Sequence, residues 1–169
     1  MKEAPNLITK RLGLRPLTLH DSENLIYLLH SEIQKDAGPY MPHSLNDLPQ
    51  HIERIIGDTT WLITINKDKV IGDIGVFSKK GNETGEMAWY IDPEYWNLGY
   101  ATEAGLAVID YMFSTLKFCQ LTAQIGSANI PSCRLAEKLG FILECIEYDS
   151  DLYGKKADVC LYSMSNPAK

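Results

Sequence analysis

Residues 86–104 read Glu86-Met87-Ala88-Trp89-Tyr90-Ile91-Asp92-Pro93-Glu94-Tyr95-Trp96-Asn97-Leu98-Gly99-Tyr100-Ala101-Thr102-Glu103-Ala104. The aromatic and aliphatic run at its start predicts a strand, which Pro93 stops. Beyond the loop, Ala101, Ala104, Gly105, Val108, Ile109, Met112, Phe113 and Leu116 recur at i, i+3, i+4 and i+7. That is the rhythm of an amphipathic helix. A strand therefore runs through a tight loop containing Gly99 straight into a helix. Consecutive N–H groups at such a start, together with the helix dipole, can hold an anion. Gly99 and the small Ala101 would let a phosphate come close to the backbone. The loop alone is weak evidence, because it lacks both the GxxxxGK[ST] and the GxGxxG pattern. A glycine serving only a turn would look the same.

Outward from this segment the chain alternates strands and helices with no linker, which predicts one domain over residues 1–169. Upstream, Leu12–Leu17 alternates as a short strand, and Asp21 is placed to cap a helix carrying Leu25, Leu28 and Leu29. The loop Asp36–His43 is full of breakers, and a second short helix carries Leu48, Ile52, Ile55 and Ile56. Strands over 60–65 and 70–77 flank the polar turn Asn66–Lys69 as a hairpin, and Lys79–Gly85 turns the chain into the strand Glu86–Asp92. Downstream come a strand at Leu121–Ile125, a helix from Asn129 to Leu139 ending at Gly140, and two strands near 141–148 and 157–163 around the turn Tyr153–Lys156. The order β-α-α-β-β-β-α-β-α-β-β predicts an α/β (α+β) fold, a mixed sheet with helices on its faces.

Composition excludes more than it identifies. The net charge of −6 argues against nucleic acid as a partner, since phosphate binding needs a basic face. No apolar run is long enough to span a bilayer, and the start Met1–Asn6 lacks the apolar core of a secretory signal. A cytoplasmic location with no membrane partner is the expectation. Cys119, Cys133, Cys145 and Cys160 form no CxxC pair, and all four histidines lie in the first third. Reduced, mostly buried thiols and no metal site follow.

The full wording Asp92-Pro93-Glu94-Tyr95-Trp96-x-x-Gly99-Tyr100-Ala101-Thr102-Glu103-Ala104 resembles the acetyl-CoA loop of the GNAT acetyltransferases, in the branch of the RimJ/RimL-type ribosomal-protein N-terminal acetyltransferases. Thr9–Pro16 is similar to that branch's first strand, and Asn129–Phe141 to its second cofactor segment. The resemblance implies the GNAT fold. That fold is a twisted, mostly antiparallel sheet of about seven strands, splayed between the fourth and fifth, with about four helices on both faces. It implies transfer of an acetyl group from acetyl-CoA, as co-substrate, to a primary amine by direct attack. Cysteine chemistry is not expected, since no thiol here has a triad-like context. The family also admits a homodimer, for which no stretch of the sequence fixes an interface.

By the same resemblance, the coenzyme A pyrophosphate would lie on the amides of Asn97, Leu98, Gly99, Tyr100, Ala101 and Thr102. Where the wider family opens this loop with Gln or Arg, this chain has Trp96. The loop then offers no positive side chain, leaving amides and dipole to do the work. The pantetheine arm would pair along Trp89, Tyr90 and Ile91, and the Ile91 N–H would polarise the thioester carbonyl. Asn129 matches an asparagine that touches the arm, and it equally suits a helix N-cap. An amine must lose a proton to attack, so a base is expected. Glu86 matches the glutamate base of some members, although a solvated strand-edge carboxylate would read the same. Many members protonate the thiolate with a tyrosine where this chain has Ala136; Ser132 matches the serine of the RimJ/RimL-like branch. Gln124 replaces the alternative base on the fifth strand. Tyr40, His43, Tyr148, Asp149 and Asp151 could shape an amine pocket or be ordinary loop residues. A non-catalytic acyl-CoA-binding sensor or partner module is the alternative reading.

Overall fold

In the computed structural model, residues 4–35, 38–57, 59–78 and 83–168 are described. The readings above for Met1–Glu3, Asp36 and Ala37, and Lys79–Asn82 lie outside them. One sheet holds eight strands: β1 (Leu7–Ile8), β2 (Gly13–Pro16), β3 (Thr60–Ile65), β4 (Lys69–Phe77), β5 (Thr84–Ile91), β6 (Gln120–Gly126), β7 (Ile142–Leu152) and β8 (Lys155–Ser165), in the order β1-β2-β3-β4-β5-β6-β8-β7. Every neighbouring pair is antiparallel except β5 and β6. The eighth strand, β1, was not expected. Two residues are too few to show a period.

The helices α1 (Ser31–Gln34), α2 (Leu48–Ile55), α3 (Tyr100–Asp110) and α4 (Ile130–Leu139) are joined by 3-10 segments at Ser22–Leu29, Leu45–Asp47 and Pro93–Tyr95. One face of the sheet packs Trp61, Ile63, Ile71, Ile74, Val76 and Met87 against α3 and α4 through Ala104, Val108, Met112 and Ala136. On the other face Leu62 meets Leu25 and Leu28 of the first 3-10 segment and Leu48 and Ile52 of α2. Burying each of these leucines contributes ~2 kcal/mol, enough to hold the helical cover down. Strands β3 and β4 are covered on both faces, so they read as apolar runs rather than alternations.

Local chemistry departs from expectation at two places. Asp21 does not cap the following segment with its side chain. Its carboxylate is taken by the Arg15 guanidinium at 2.6 and 3.0 Å, by the Thr18 N–H and O–H, and by Asn24. The segment winds as 3-10 rather than α. Helix α3 also ends in a π turn, Tyr111–Thr115, in which the Leu116 N–H reaches back to the Tyr111 carbonyl. Gly140 behaves as expected, ending α4 at φ 99°.

The single parallel pairing decides where a site can form. It joins only Thr84–Glu86 to Gln120–Thr122, yet β5 continues to Ile91 and β6 to Gly126. The two strands splay beyond Glu86. Because they run in the same direction, their C-terminal ends lie at one edge, and so do the starts of the helices that follow them. The sequence segments around Gly99 and Asn129 thus flank one cleft.

Candidate functional site

The backbone of β5 alternates between its two neighbours. The Asp92 N–H donates to Ile71 of β4, the Gly85 carbonyl faces Thr122 of β6, and the Tyr90 carbonyl abuts Gly72 of β4. The N–H groups of Trp89 and Ile91 therefore turn to the cleft, while the backbone of Tyr90 is committed to β4. This divides the expected pantetheine edge: Trp89 and Ile91 can offer backbone to it, and Tyr90 cannot. Trp96 has a task of its own, donating its indole N–H to the Ile91 carbonyl at 2.6 Å. The end of β5 is thereby capped on the cleft side, with the Ile91 N–H left open.

At the start of α3, Asn97 and Gly99 adopt φ 62° and 80°. The first bond of the helix runs from the Glu103 N–H to the Gly99 carbonyl at 3.1 Å. Among the described residues, none accepts a hydrogen bond from the N–H groups of Asn97, Leu98, Gly99, Tyr100, Ala101 or Thr102. Six consecutive open amides at a helix N-terminus suit an anion. The loop's own side chains carry no positive charge, as expected, but one reaches it from elsewhere in the fold. The Arg11 guanidinium reaches it from the β1–β2 turn, donating to the Leu98 carbonyl at 2.9 Å and lying 4.6 Å from the Tyr100 ring centroid. Long-range contact supplied what the local sequence lacked.

Across the cleft, Asn129 accepts the Ser132 N–H on its side-chain oxygen at 3.2 Å, as an N-cap does. That bond uses the amide oxygen and leaves the amide nitrogen without a partner among the described residues. Ser132 is half-buried in the first turn of α4.

The side chains of Glu86, Ala88 and Tyr90 point to the opposite face from Met87, Trp89 and Ile91. Both oxygens of Glu86 are engaged: the Tyr153 hydroxyl donates to Oε1, and the Gln124 amide donates to Oε2 at 3.1 Å. Burial and the neighbouring Glu86 carboxylate push the Tyr153 phenol far above its usual range, so it stays a donor. Tyr153 sits at φ 51° and Gly154 at φ 85°, in the tight turn between β7 and β8. Left-handed backbone at a tyrosine is strained, and such strain gathers at functional sites. The Gly154 N–H donates to Asp151 at 2.8 Å, and a Cβ on Gly154 would lie 2.7 Å from Pro39. The loop at 38–41 thus closes onto this turn. The other loop residues serve the loops. The Tyr40 carbonyl accepts from Arg54, His43 pairs with Gln34 at 2.8 Å, and the Asp149 carbonyl accepts from Lys156. Tyr148 is three-quarters exposed. The sequence places Tyr153 only in a turn, because its partner lies 67 residues away.

Beneath the same face Asp73 of β4 stands opposite Tyr90 and is buried. Burial pushes its carboxyl up to about 7, although the bond from the Tyr27 hydroxyl works the other way. Burial likewise raises Tyr90 to about 12, with Asp73 adding to the effect. The sequence offered no sign of this carboxyl, which sits inside an otherwise apolar strand.

Among the described residues, no group of three His, Cys, Asp or Glu side chains could hold a metal ion. No helix there is long and apolar enough to cross a membrane. Of the four cysteines only Cys133 and Cys160 are buried; Cys145, on the edge strand β7, is exposed. The expectation of mostly buried thiols therefore holds for half of them.

Comparison with known proteins agrees with this architecture. The family model described as acetyltransferase (GNAT) domain matches residues 11–142. The chain is 29% identical over 153 residues to the uncharacterized N-acetyltransferase YnaD of Bacillus subtilis (strain 168), covering 83% of this chain and 88% of that one. Its fold is similar to the crystal structure of a GNAT-family acetyltransferase from Bacillus anthracis, with a TM-score of 0.84 at 24% identity over 96% of this chain and 99% of that chain. It is also similar to Mycobacterium smegmatis RimJ in complex with CoA-disulfide, with a TM-score of 0.76 at 16% identity over 91% and 81% of the two chains.

Proposed function

The chain belongs to the acetyltransferase (GNAT) family and is an N-acetyltransferase; we propose that it takes the acetyl group of acetyl-CoA and places it on a primary amine in the cleft between β5 and β6. One observation carries the cofactor half of this reading: the row of six open amides from Asn97 to Thr102 at the start of α3. A pyrophosphate is the anion that such a row, aligned with a helix dipole, holds well.

In this reading the amides of Asn97–Thr102 hold the pyrophosphate, while Trp89 and Ile91 offer backbone to the pantetheine arm. The Ile91 N–H donates to the thioester oxygen as it gains negative charge. Glu86, oriented by Tyr153 and Gln124, takes the proton that the amine loses as its nitrogen bonds to the acetyl carbon. The bond from that carbon to sulfur breaks, and the departing thiolate accepts a hydrogen bond from the Ser132 hydroxyl. Asn129 caps α4 so that Ser132 stays in its first turn, and its amide nitrogen is available to the pantetheine arm.

The wording of the loop and the place of Ser132 favour the RimJ/RimL-like branch, and with it a protein N-terminus over a small amine as acceptor. The deciding experiment incubates the protein with acetyl-CoA and a panel of peptides with free N-termini, polyamines and aminoglycosides. Thiol release and product mass are read together. Amine-dependent release with a product one acetyl group heavier is expected. Thiol release that ignores the amine would point to a hydrolase, and failure to bind coenzyme A would sink the assignment of the loop.

A further inference from the structure

We propose that Arg11 is a positioning residue for the cofactor site: it braces the Leu98–Gly99 turn so that the amides beyond it stay open, and it holds the Glu103 carboxylate away from them. The proposal rests on the reading of that turn as the pyrophosphate site.

The bracing is visible in the contacts. Arg11 Nε donates to Glu103 Oε2 at 2.6 Å, and one terminal nitrogen donates to the Leu98 carbonyl at 2.9 Å. The backbone N–H of Arg11 and the Thr9 hydroxyl both donate to Glu103 Oε1, at 2.8 and 2.6 Å. The planar guanidinium lies over the Tyr100 ring, and a Cβ on Gly99 would stand 3.4 Å from its other terminal nitrogen. One side chain from the β1–β2 turn therefore grips the last carbonyl before Gly99, the first aromatic ring of α3 and the carboxylate of its first turn.

Two consequences follow from charge and direction. Turning the Leu98 carbonyl toward Arg11 keeps its partial negative charge off an anion lying on the amides. Glu103 is a negative charge near a helix N-terminus, the place where it would compete with a phosphate. With both oxygens engaged by Arg11 and Thr9, the carboxylate is held to the flank. Although partial burial would raise the Glu103 carboxyl, the bonds from Thr9 and Arg11 outweigh this and keep it ionised. Removing the Arg11 side chain would loosen the turn and leave Glu103 Oε2 unpaired and its charge uncompensated beside the site, although Oε1 keeps the Thr9 hydroxyl and the backbone N–H of residue 11.

The test is calorimetric titration with coenzyme A of the wild type, Arg11→Lys, Arg11→Ala and the double variant Arg11→Ala/Glu103→Ala, in dilute buffer and in about 0.5 M salt, where charges more than a few ångströms apart are screened. An ion pair this exposed adds little to stability, so the variants should fold, as their melting curves will report. Arg11→Ala should weaken coenzyme A binding about tenfold or more. Arg11→Lys should lose nearly as much, since a single ammonium cannot bridge a carbonyl and a carboxylate in one plane. The double variant should recover part of the loss although it lacks the pair altogether, which no general weakening of the fold would produce. Wild-type affinity in Arg11→Lys, or a loss that vanishes in high salt, would overturn the brace in favour of simple charge attraction. A wild type that does not bind coenzyme A would instead overturn the assignment of the turn itself.

Discussion

Replacing Asp73 by asparagine should flatten the dependence of stability on pH. Asp73 is buried, and burial raises its carboxyl from 3.8 to about 7. Its native pKa lies above its unfolded one, so between these values the native state holds a proton that the unfolded chain has released. Stability therefore falls as pH rises through this window, and levels off above it. At about 1.4 kcal/mol per pKa unit, the three-unit shift corresponds to an upper bound of about 4 kcal/mol. The asparagine side chain would still accept the Tyr27 hydroxyl bond but could not ionise. The Asp73→Asn variant should match the wild type near pH 4 and exceed it by up to a few kcal/mol at pH 8.5. Urea unfolding midpoints, measured in steps from pH 4 to pH 9, read this directly. Asp21 supplies a contrast within the same chain. Burial would raise its carboxyl, but hydrogen bonds from Arg15, Thr18 and Asn24 prevail and hold it well below the usual range. Its contribution is present above about pH 4 and is lost as pH falls below that, outside the window of Asp73. Parallel stability curves for wild type and Asp73→Asn would refute the reasoning.

Glu86→Gln should cut amine acetylation at least about a hundredfold with coenzyme A affinity unchanged, whereas Tyr153→Phe should lower kcat by a smaller factor without altering the KM for acetyl-CoA. Full activity in Glu86→Gln, followed by thiol release, would remove Glu86 as base; an unaltered Tyr153→Phe would remove only its orienting partner. Gly99→Ala forces a side chain into left-handed backbone 3.4 Å from Arg11. It should cost about 1 kcal/mol in thermal unfolding and weaken coenzyme A in titration; unchanged affinity would show that the turn does not bind the cofactor.

The parts of the fold that could be read in advance are those whose cause is local. Asn66 and Lys67 make the hairpin turn that their polar neighbours predict, at φ 49° and 80°, and Gly140 ends α4 where only a left-handed residue fits. The loop before α3 was legible because Gly99 and the helix rhythm lie within a few residues of each other. Asp21 misled because a capping residue is recognised by type, whereas the partner that takes its side chain, here Arg15 six residues upstream, is set by the folded geometry. The same limit hid half of the candidate site. Arg11 meets Leu98 across 87 residues, Tyr153 meets Glu86 across 67 and Tyr27 meets Asp73 across 46. None of these pairs has a spacing that a local pattern could reveal. The sheet order brings them together.

That order also explains why the two halves of the candidate site differ in kind. In the proposed reading strand β5 serves the cleft twice, through backbone at Trp89 and Ile91 and through the side chain of Glu86. Backbone groups are the same in every residue, so the cofactor half constrains the sequence mainly where geometry is special, at Gly99 and at the Trp96 cap on Ile91. Substituting Trp89 by another large apolar residue should therefore leave an amide available to the cofactor. The acceptor half has no such freedom, because it consists of side-chain atoms held by particular partners. Glu86 needs Tyr153, Tyr153 needs left-handed backbone, and the turn at Gly154 needs the loop at 38–41 packed against it. A change of acceptor within this fold would accordingly be written in the β7–β8 turn and the 38–41 loop, while the start of α3 stayed as it is.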